Sequence, residues 1–282
     1  MVRVPDALRR DVVTVCKRMH ARGLVAGTDG NVSVRFSKQH LLATPTGMSK
    51  GSVEADDLVV CDLEGRQLDG KRKLTTEIKI HIAAYVLRDD VCAIVHAHPP
   101  YATAFAVAGA TPSEHLMPEA YIAVGKVALA PYGTPSTDEL VANIRPALHG
   151  HDAVLLANHG AMTTARDVVA AYHRMEALEQ LCLVTYLARQ LGGPQLLGAD
   201  EIAKLDAIRG VYGGESRHVP CLQCGYAPDA PVKSTAPTLY VEPDVHWPGN
   251  PPVRPRPSGA LSLAEAQTRD LVQRIVRTLP RE

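Results

Sequence analysis

The sequence predicts an α/β fold built from packed layers, and three observations predict it. Short β-rich apolar runs recur along the chain, segments with helical apolar spacing lie between them, and Gly, Pro, Asp and Ser clusters separate the two kinds. Residues 6–22 place Leu8, Val12, Val15, Cys16 and Met19 on one helical side, with Asp6 as candidate N-cap and Gly23 as the stop. Residues 31–36, 40–44 and 58–62 follow as strands. Residues 76–88 read as a helix whose apolar side is largely Ile78, Ile82 and Leu87, and residues 91–97 as a strand. Residues 127–131 are strand-like, and Ser136 with Glu139 spells a capping box for a helix through Leu148. Residues 153–157 form another buried strand. Residues 166–189 make a long helix, on which Val168, Val169, Tyr172, Leu178, Leu181, Leu183 and Leu187 outline a broad apolar side.

After about Gly214 prolines become dense, which marks an extended arm over 215–282 beside a main domain over 1–214. Ser262 with Glu265 forms a further capping box, so the arm is expected to end in a helix over 262–279.

Composition excludes several function classes. Apolar residues at 46% and charged residues at 21% exclude wholesale disorder in a 282-residue chain. Thirty basic residues balance thirty acidic ones, so there is no electrostatic footprint for nucleic acid and no basic run for a membrane surface. The N-terminus is charged before any apolar run, and no apolar stretch approaches about 18 residues, which places the protein in the cytoplasm as an expectation. Cys16, Cys61, Cys92 and Cys182 sit singly in apolar segments and are expected as buried free thiols. Cys221 and Cys224 lack a second pair, so two ordinary thiols are favoured over a structural zinc.

The stretch that carries chemistry is Val95-His96-Ala97-His98-Pro99 at the end of an apolar strand. Side chains two apart on a strand share a face, so both imidazoles can converge on one ion. A second strand ends in Asn158-His159-Gly160, where Gly160 would let the backbone turn after a third imidazole. Three imidazoles with open positions is a catalytic pattern, whereas a lone His-x-His is common by chance. The other nine histidines, His20, His81, His149, His151 and His173 among them, are expected in surface or packing roles without convergent partners; His115 is left open, because its loop could border the site.

Leu74-Thr75-Thr76-Glu77 opens a helix, so hydroxyls and free N–H groups gather at its positive end, where an anion could bind. Gly27-Thr28-Asp29-Gly30-Asn31 and Thr44-Pro45-Thr46-Gly47 are two further loops able to aim N–H groups at a phosphate, though each alone is also ordinary turn chemistry. Glu77 has two open roles, a capping carboxylate or an ionised base beside a metal.

Taken together, Gly27–Asn31 with Val32-Ser33-Val34-Arg35, Thr44–Gly47, Thr75–Glu77, His96 with His98, and His159-Gly160 resemble the class II aldolase/adducin family, most closely its members that cleave fuculose phosphate. The resemblance spans about residues 6 to 213. It implies a three-layer α/β/α sandwich with a central, mainly antiparallel sheet. It also implies a carbohydrate-metabolising lyase that cleaves a ketose 1-phosphate to dihydroxyacetone phosphate and an aldehyde through an enediolate. By resemblance, His96, His98 and His159 hold zinc or another divalent ion such as manganese or cobalt. Thr28, Gly30, Asn31, Thr46, Gly47, Thr75 and Thr76 would hold the substrate phosphate. Glu77 would move the proton on the dihydroxyacetone phosphate carbon and could occupy the metal without substrate. Tyr212 would donate a proton into a neighbouring subunit's site within a homotetramer.

The loop Glu114-His115-Leu116-Met117 departs from the pattern, with leucine where the resemblance calls for tyrosine on the aldehyde side. A sugar-phosphate 4-epimerase shares the scaffold but carries aspartate in place of Glu77. A sugar-acid phosphate decarboxylase, a thiosugar-phosphate dehydratase and a non-catalytic adducin-like binding module remain as alternatives.

Overall fold

The structure is a computed structural model and describes residues 3–208. The first helix, α1 (Asp6–Ala21), turns Val12, Val15, Cys16 and Met19 inward. Asp6 is its first helical residue rather than its cap: Pro5 holds the N-cap position, where it has no side-chain donor or acceptor to offer. At the other end Gly23 adopts φ +68°, and the bonds Leu24 N to Met19 O (3.0 Å) and Gly23 N to His20 O (3.1 Å) close a Schellman stop.

An antiparallel meander follows, β1 (Asn31–Arg35), β2 (His40–Ala43), β3 (Val59–Asp62) and a short β4 (Gln67–Asp69). Then come α2 (Ile78–Leu87), β5 (Ala93–Ala97), α3 (Pro100–Val107), β6 (Val127–Ala130), α4 (Asp138–Gly150), β7 (Ala153–Leu156), β8 (Gly160–Ala165), α5 (Val168–Gln190) and α6 (Ala199–Ile208). One eight-stranded sheet has the order β4-β3-β2-β1-β5-β8-β7-β6. Every pairing is antiparallel except β6 with β7, which α4 joins as a crossover.

Alternation along the strands separates two cores. Val32, Val34, Leu42, Ala93, Val95, Ala153 and Leu155 pack with α1, α3 and α5. Leu41, Ala43, Cys61, Ile94, Val154, Leu156 and Met162 pack with α2 and α4. The expected three-layer sandwich is therefore present, with a mainly antiparallel sheet in the middle.

Four elements, β4, α3, β8 and α6, lie outside the expected set. The capping box at Ser136 does not form: Ser136 has φ +68°, and Thr137 caps α4 instead, its Oγ1 accepting Leu140 N at 3.4 Å. Glu139 accepts Thr134 N at 3.3 Å, so the chain simply enters the helix one residue later. Cys16, Cys61 and Cys182 are buried free thiols; Cys92 is buried but is not one of them. Among the described residues no helix is long and apolar enough to cross a membrane. The arm over 215–282, the helix over 262–279, Tyr212, Cys221 and Cys224 lie outside the described residues.

Candidate metal centre

His96 lies in β5, where β1 pairs Asn31 with it on one side and β8 pairs Met162 with it on the other. It shares a strand face with Ile94, the α2 side. His98 follows just past the strand end. His159 arrives from the loop that joins β7 to β8, next to the Leu156–Gly160 pair. Asn158 in that loop takes the left-handed turn, φ +56°, a conformation asparagine tolerates. Gly160 is therefore not the turning residue expected from sequence. Its role is space: a Cβ there would lie 2.5 Å from His98 Cδ2 and 2.6 Å from Ala97 O.

The three rings meet with centroids 5.0 Å (His96–His98), 4.8 Å (His96–His159) and 5.0 Å (His98–His159) apart, and one ring nitrogen from each lies within 4.8 Å of the others. His96 is fully buried, while the His98 side chain is 25% exposed, so the cluster is closed below and open on one side. His96 Nδ1 donates to Ala161 O at 2.9 Å, which leaves the Nε2 lone pair pointing at the cluster. His98 Nε2 faces it at 3.2 Å. Burial, and then the other two imidazoles, push His98 down to about 4, so this ring is neutral near pH 7. Two ring nitrogens facing at this distance match tetrahedral ligands about 2.0–2.1 Å from one ion, which stand about 3.3 Å apart. His159 Nδ1 and Glu77 Oε1 are buried without a hydrogen-bond partner. The residues fit a divalent cation on a three-histidine set.

Glu77 precedes α2 and holds its cap position at φ −91°, yet its side chain makes no capping bond. The carboxylate turns to the histidines instead, Oε1 lying 3.3 Å from His159 Nε2 and Oε2 3.4 Å from His96 Nε2. Burial alone would raise its pKa, but the His159 and His96 imidazoles outweigh it and hold the carboxyl well below the usual carboxylate range. Asn31 Nδ2 donates to Glu77 Oε2 at 2.8 Å. His81 was expected in a surface or packing role without convergent partners; it is packed inside, but it does have such partners. It is fully buried, and its two ring nitrogens contact Asn31 Oδ1 at 2.5 Å and Ser33 Oγ at 2.7 Å. The signal was present in the spacing, since Glu77, His81 and Tyr85 recur every four residues and Asn31, Ser33 and Arg35 every two.

The three loops collect at the same end of the sheet. The first, with Gly27 and Gly30 at φ +53° and +72°, leads into β1 beside His96; the second, with Gly47 at φ +67°, leaves β2. A hydrogen bond from Thr46 N to Lys73 O (3.0 Å) and a bridge from Pro45 to Leu74 join the second loop to the segment preceding Glu77. Thr28, Thr46, Gly47 and Thr76 are exposed, whereas Gly30, Asn31 and Thr75 are buried beneath them. Lys50 was missed by sequence reasoning: it is 1% exposed, and its ammonium donates to Thr28 O (3.0 Å) and Met48 O (2.7 Å), pinning two loops together. Burial lowers its pKa, opposed by Cys16, Asp29 and Glu77. His98 Nδ1 is 3.4 Å from Asp29 Oδ2, which steadies that ring from the first loop. His115 lies on a 3-10 turn (Glu114–Leu116), its ring tilted 54° to Tyr121 with centroids 5.8 Å apart, and accepts Leu197 N through its carbonyl.

The profile of the Class II Aldolase and Adducin N-terminal domain matches residues 10–186. A 5-deoxy-D-ribulose 1-phosphate aldolase of Bacillus thuringiensis serovar kurstaki is 33% identical over 201 residues, 70% of this chain and 92% of that protein. A 3-oxo-tetronate 4-phosphate decarboxylase of Pectobacterium atrosepticum is 32% identical over 203 residues, 70% of this chain and 91% of that protein. A solved L-fuculose 1-phosphate aldolase superposes with a TM-score of 0.67 at 31% identity, over 74% of this chain and 98% of its own. Fold, motif order and profile agree, and the chain belongs to the class II aldolase and adducin family.

Proposed function

We propose that the chain is a divalent-cation-dependent aldolase that cleaves a ketose 1-phosphate between C3 and C4 into dihydroxyacetone phosphate and an aldehyde. The observation that carries this reading is an ionised carboxylate, Glu77, set 3.3 and 3.4 Å from the ring nitrogens of His159 and His96 in a cluster open on one side. Zinc, or manganese or cobalt, held by His96, His98 and His159 would supply Lewis acidity to the substrate oxygens that gain charge as the enediolate forms. In the condensation direction Glu77 takes the proton from C3 of dihydroxyacetone phosphate, that carbon attacks the aldehyde, and the aldehyde oxygen takes a proton from Tyr212. Cleavage runs the same transfers backwards. Tyr212 acts from a neighbouring subunit of a homotetramer. Thr28, Gly30, Asn31, Thr46, Gly47, Thr75 and Thr76 hold the phosphate, with the exposed hydroxyls and glycine N–H groups as its direct donors. Asn31 has one amide hydrogen on Glu77 and a second for substrate.

The relatives narrow the test substrates to 5-deoxyribulose 1-phosphate and fuculose 1-phosphate. Purified full-length protein loaded with zinc, manganese or cobalt is mixed with each, and dihydroxyacetone phosphate is read through NADH oxidation by glycerol-3-phosphate dehydrogenase. The first substrate should also yield acetaldehyde. A second reading, decarboxylation of a 3-oxo sugar-acid phosphate, is favoured by the Pectobacterium relative. Carbon dioxide from that substrate, with no dihydroxyacetone phosphate from either ketose, overturns the aldolase reading. Conversion to an isomeric pentose phosphate without cleavage points to an epimerase, and absence of bound metal points to a binding module.

A further inference from the structure

We infer that His81 is a positioning residue for this reaction: acting through Asn31, it fixes the orientation in which the Glu77 carboxylate is hydrogen-bonded, and Ser33 and Tyr85 fix His81 in turn. The inference deepens the reading of Glu77 as the proton carrier.

Its basis is a match of periods between a helix and a strand. Glu77, His81 and Tyr85 step by four along α2 and the residue before it, about 6 Å per step. Asn31, Ser33 and Arg35 step by two along the facing side of β1, about 6.6 Å per step. The two sets therefore stay in register as rungs. Asn31 Nδ2 meets Glu77 Oε2 at 2.8 Å, Asn31 Oδ1 meets His81 Nε2 at 2.5 Å, His81 Nδ1 meets Ser33 Oγ at 2.7 Å, and Ser33 Oγ meets Tyr85 OH at 2.8 Å. The single Tyr85 hydroxyl proton is shared between Ser33 Oγ and Ser33 O, the latter at 2.9 Å. Asn31, Ser33, His81 and Tyr85 are at most 3% exposed, so no bulk water can replace a missing partner.

The donors and acceptors admit one consistent arrangement. A carboxylate only accepts, so Asn31 must present its NH2 to Glu77 and its oxygen to His81. That requires N–H on Nε2 of His81 and a bare Nδ1, which accepts from the Ser33 hydroxyl. Burial keeps the His81 ring neutral, so it carries a single N–H. Without that N–H the Asn31 amide could flip and set its oxygen against the Glu77 carboxylate, two acceptors face to face.

Full-length, zinc-loaded His81→Leu, His81→Gln and Tyr85→Phe test this, since the glutamine amide can present an N–H near the Nε2 position and leucine cannot. His81→Leu should lower kcat by roughly 10- to 100-fold, with zinc content kept and KM changed by less than about threefold. His81→Gln should recover most of that loss, and Tyr85→Phe should fall between. A readout independent of activity is the 15N spectrum of histidine-labelled, metal-free wild-type protein, in which His81 should show the Nε2–H tautomer. Wild-type kcat in His81→Leu, equal losses in the leucine and glutamine variants, or an Nδ1–H tautomer overturns the inference. If no substrate is cleaved by wild-type protein, the aldolase reading fails while the tautomer still decides the arrangement.

Discussion

Replacing Gly160 with alanine should cost metal affinity through space alone. The backbone there is not in the left-handed region, so alanine introduces no conformational strain. Its methyl, however, would sit 2.5 Å from His98 Cδ2 and 2.6 Å from Ala97 O, against an ordinary carbon contact of about 3.5–4.0 Å. About 1 Å must be found. Ala97 is paired to Ala161 in the β5–β8 ladder, so its carbonyl is held by the sheet and the His98 ring is the part that moves. Overpacking of this kind costs about 1–3 kcal/mol. Taken from the cation's binding free energy, that is roughly a 10- to 100-fold weaker Kd. Competition with a zinc chelator of known affinity measures it directly. Gly150→Ala, at the end of α4 with nothing within 4 Å of the new methyl, is the matched control and should leave zinc binding unchanged. A Gly160→Ala protein with wild-type zinc affinity would refute the argument that this contact holds His98 as a ligand.

His96→Ala should leave purified protein without stoichiometric zinc by atomic emission, and equal, full zinc in mutant and wild type would contradict the three-histidine set. Lys50→Met strands the carbonyls of Thr28 and Met48 in a buried site, an expected loss of about 1–3 kcal/mol in urea denaturation. The same change should raise KM for a phosphorylated ketose more than it lowers kcat, and an unchanged KM would sink the loop-pinning role. Burial pushes His81 down to about 3 from an ordinary value of 6.5. Its folded value is depressed, so the unfolded chain takes the proton first as pH falls. The associated stability is whole above about pH 6.5 and is lost at about 1.4 kcal/mol per pH unit towards pH 3. Urea titrations of metal-free wild type and His81→Gln should therefore converge as pH falls through that window, and parallel curves would contradict the assignment.

Much of the sandwich was legible because its strands and long helices carry strong periodicity. Residues 6–22 and 166–189 mark helices whose observed spans, Asp6–Ala21 and Val168–Gln190, differ by at most two residues at either end. What escaped was short or unpatterned. β8 reads GAMTTA, with a threonine pair and no alternation, yet it is buried between β5 and β7. α3 begins at a proline and is almost uniformly apolar, so it has no polar side to reveal it. At the site, His96 and His98 were visible through their two-residue spacing at a strand end, and His159 through its place at the end of a second apolar strand. His81 and Lys50 were not, since what makes them informative is burial, and a polar residue on a predicted helix or loop is ordinarily assigned to solvent. Gly160 was singled out for the wrong physical reason, because sequence does not distinguish a glycine needed for φ from one needed for space.

The two faces of the sheet divide the work between stability and chemistry. Against α1, α3 and α5 the inward strand residues near the site are Val32, Val34, Val95 and Ala97, an apolar face that needs no hydrogen-bond partners. Against α2 the same strands present Asn31, Ser33, Arg35 and His96, each of which would be a net cost if left unpaired. On that face Asn31, Ser33 and His96 are answered from α2 or a neighbouring strand, and Arg35 gives its Nη2 to the Arg88 carbonyl while its Nε has no partner. At the open end Glu77 Oε1 and His159 Nδ1 have no hydrogen-bond partner, Oε1 facing His159 Nε2 at 3.3 Å, and the Nε2 atoms of His96 and His98 face each other at 3.2 Å. Two further unpartnered atoms gathered at the open end, beside rungs that are satisfied at Asn31, Ser33 and His81, are not explained by packing, because packing would remove the deficiency with apolar side chains. They are explained if a cation and a substrate complete the network, so that the cost left at the rim of the sheet becomes binding free energy when these arrive.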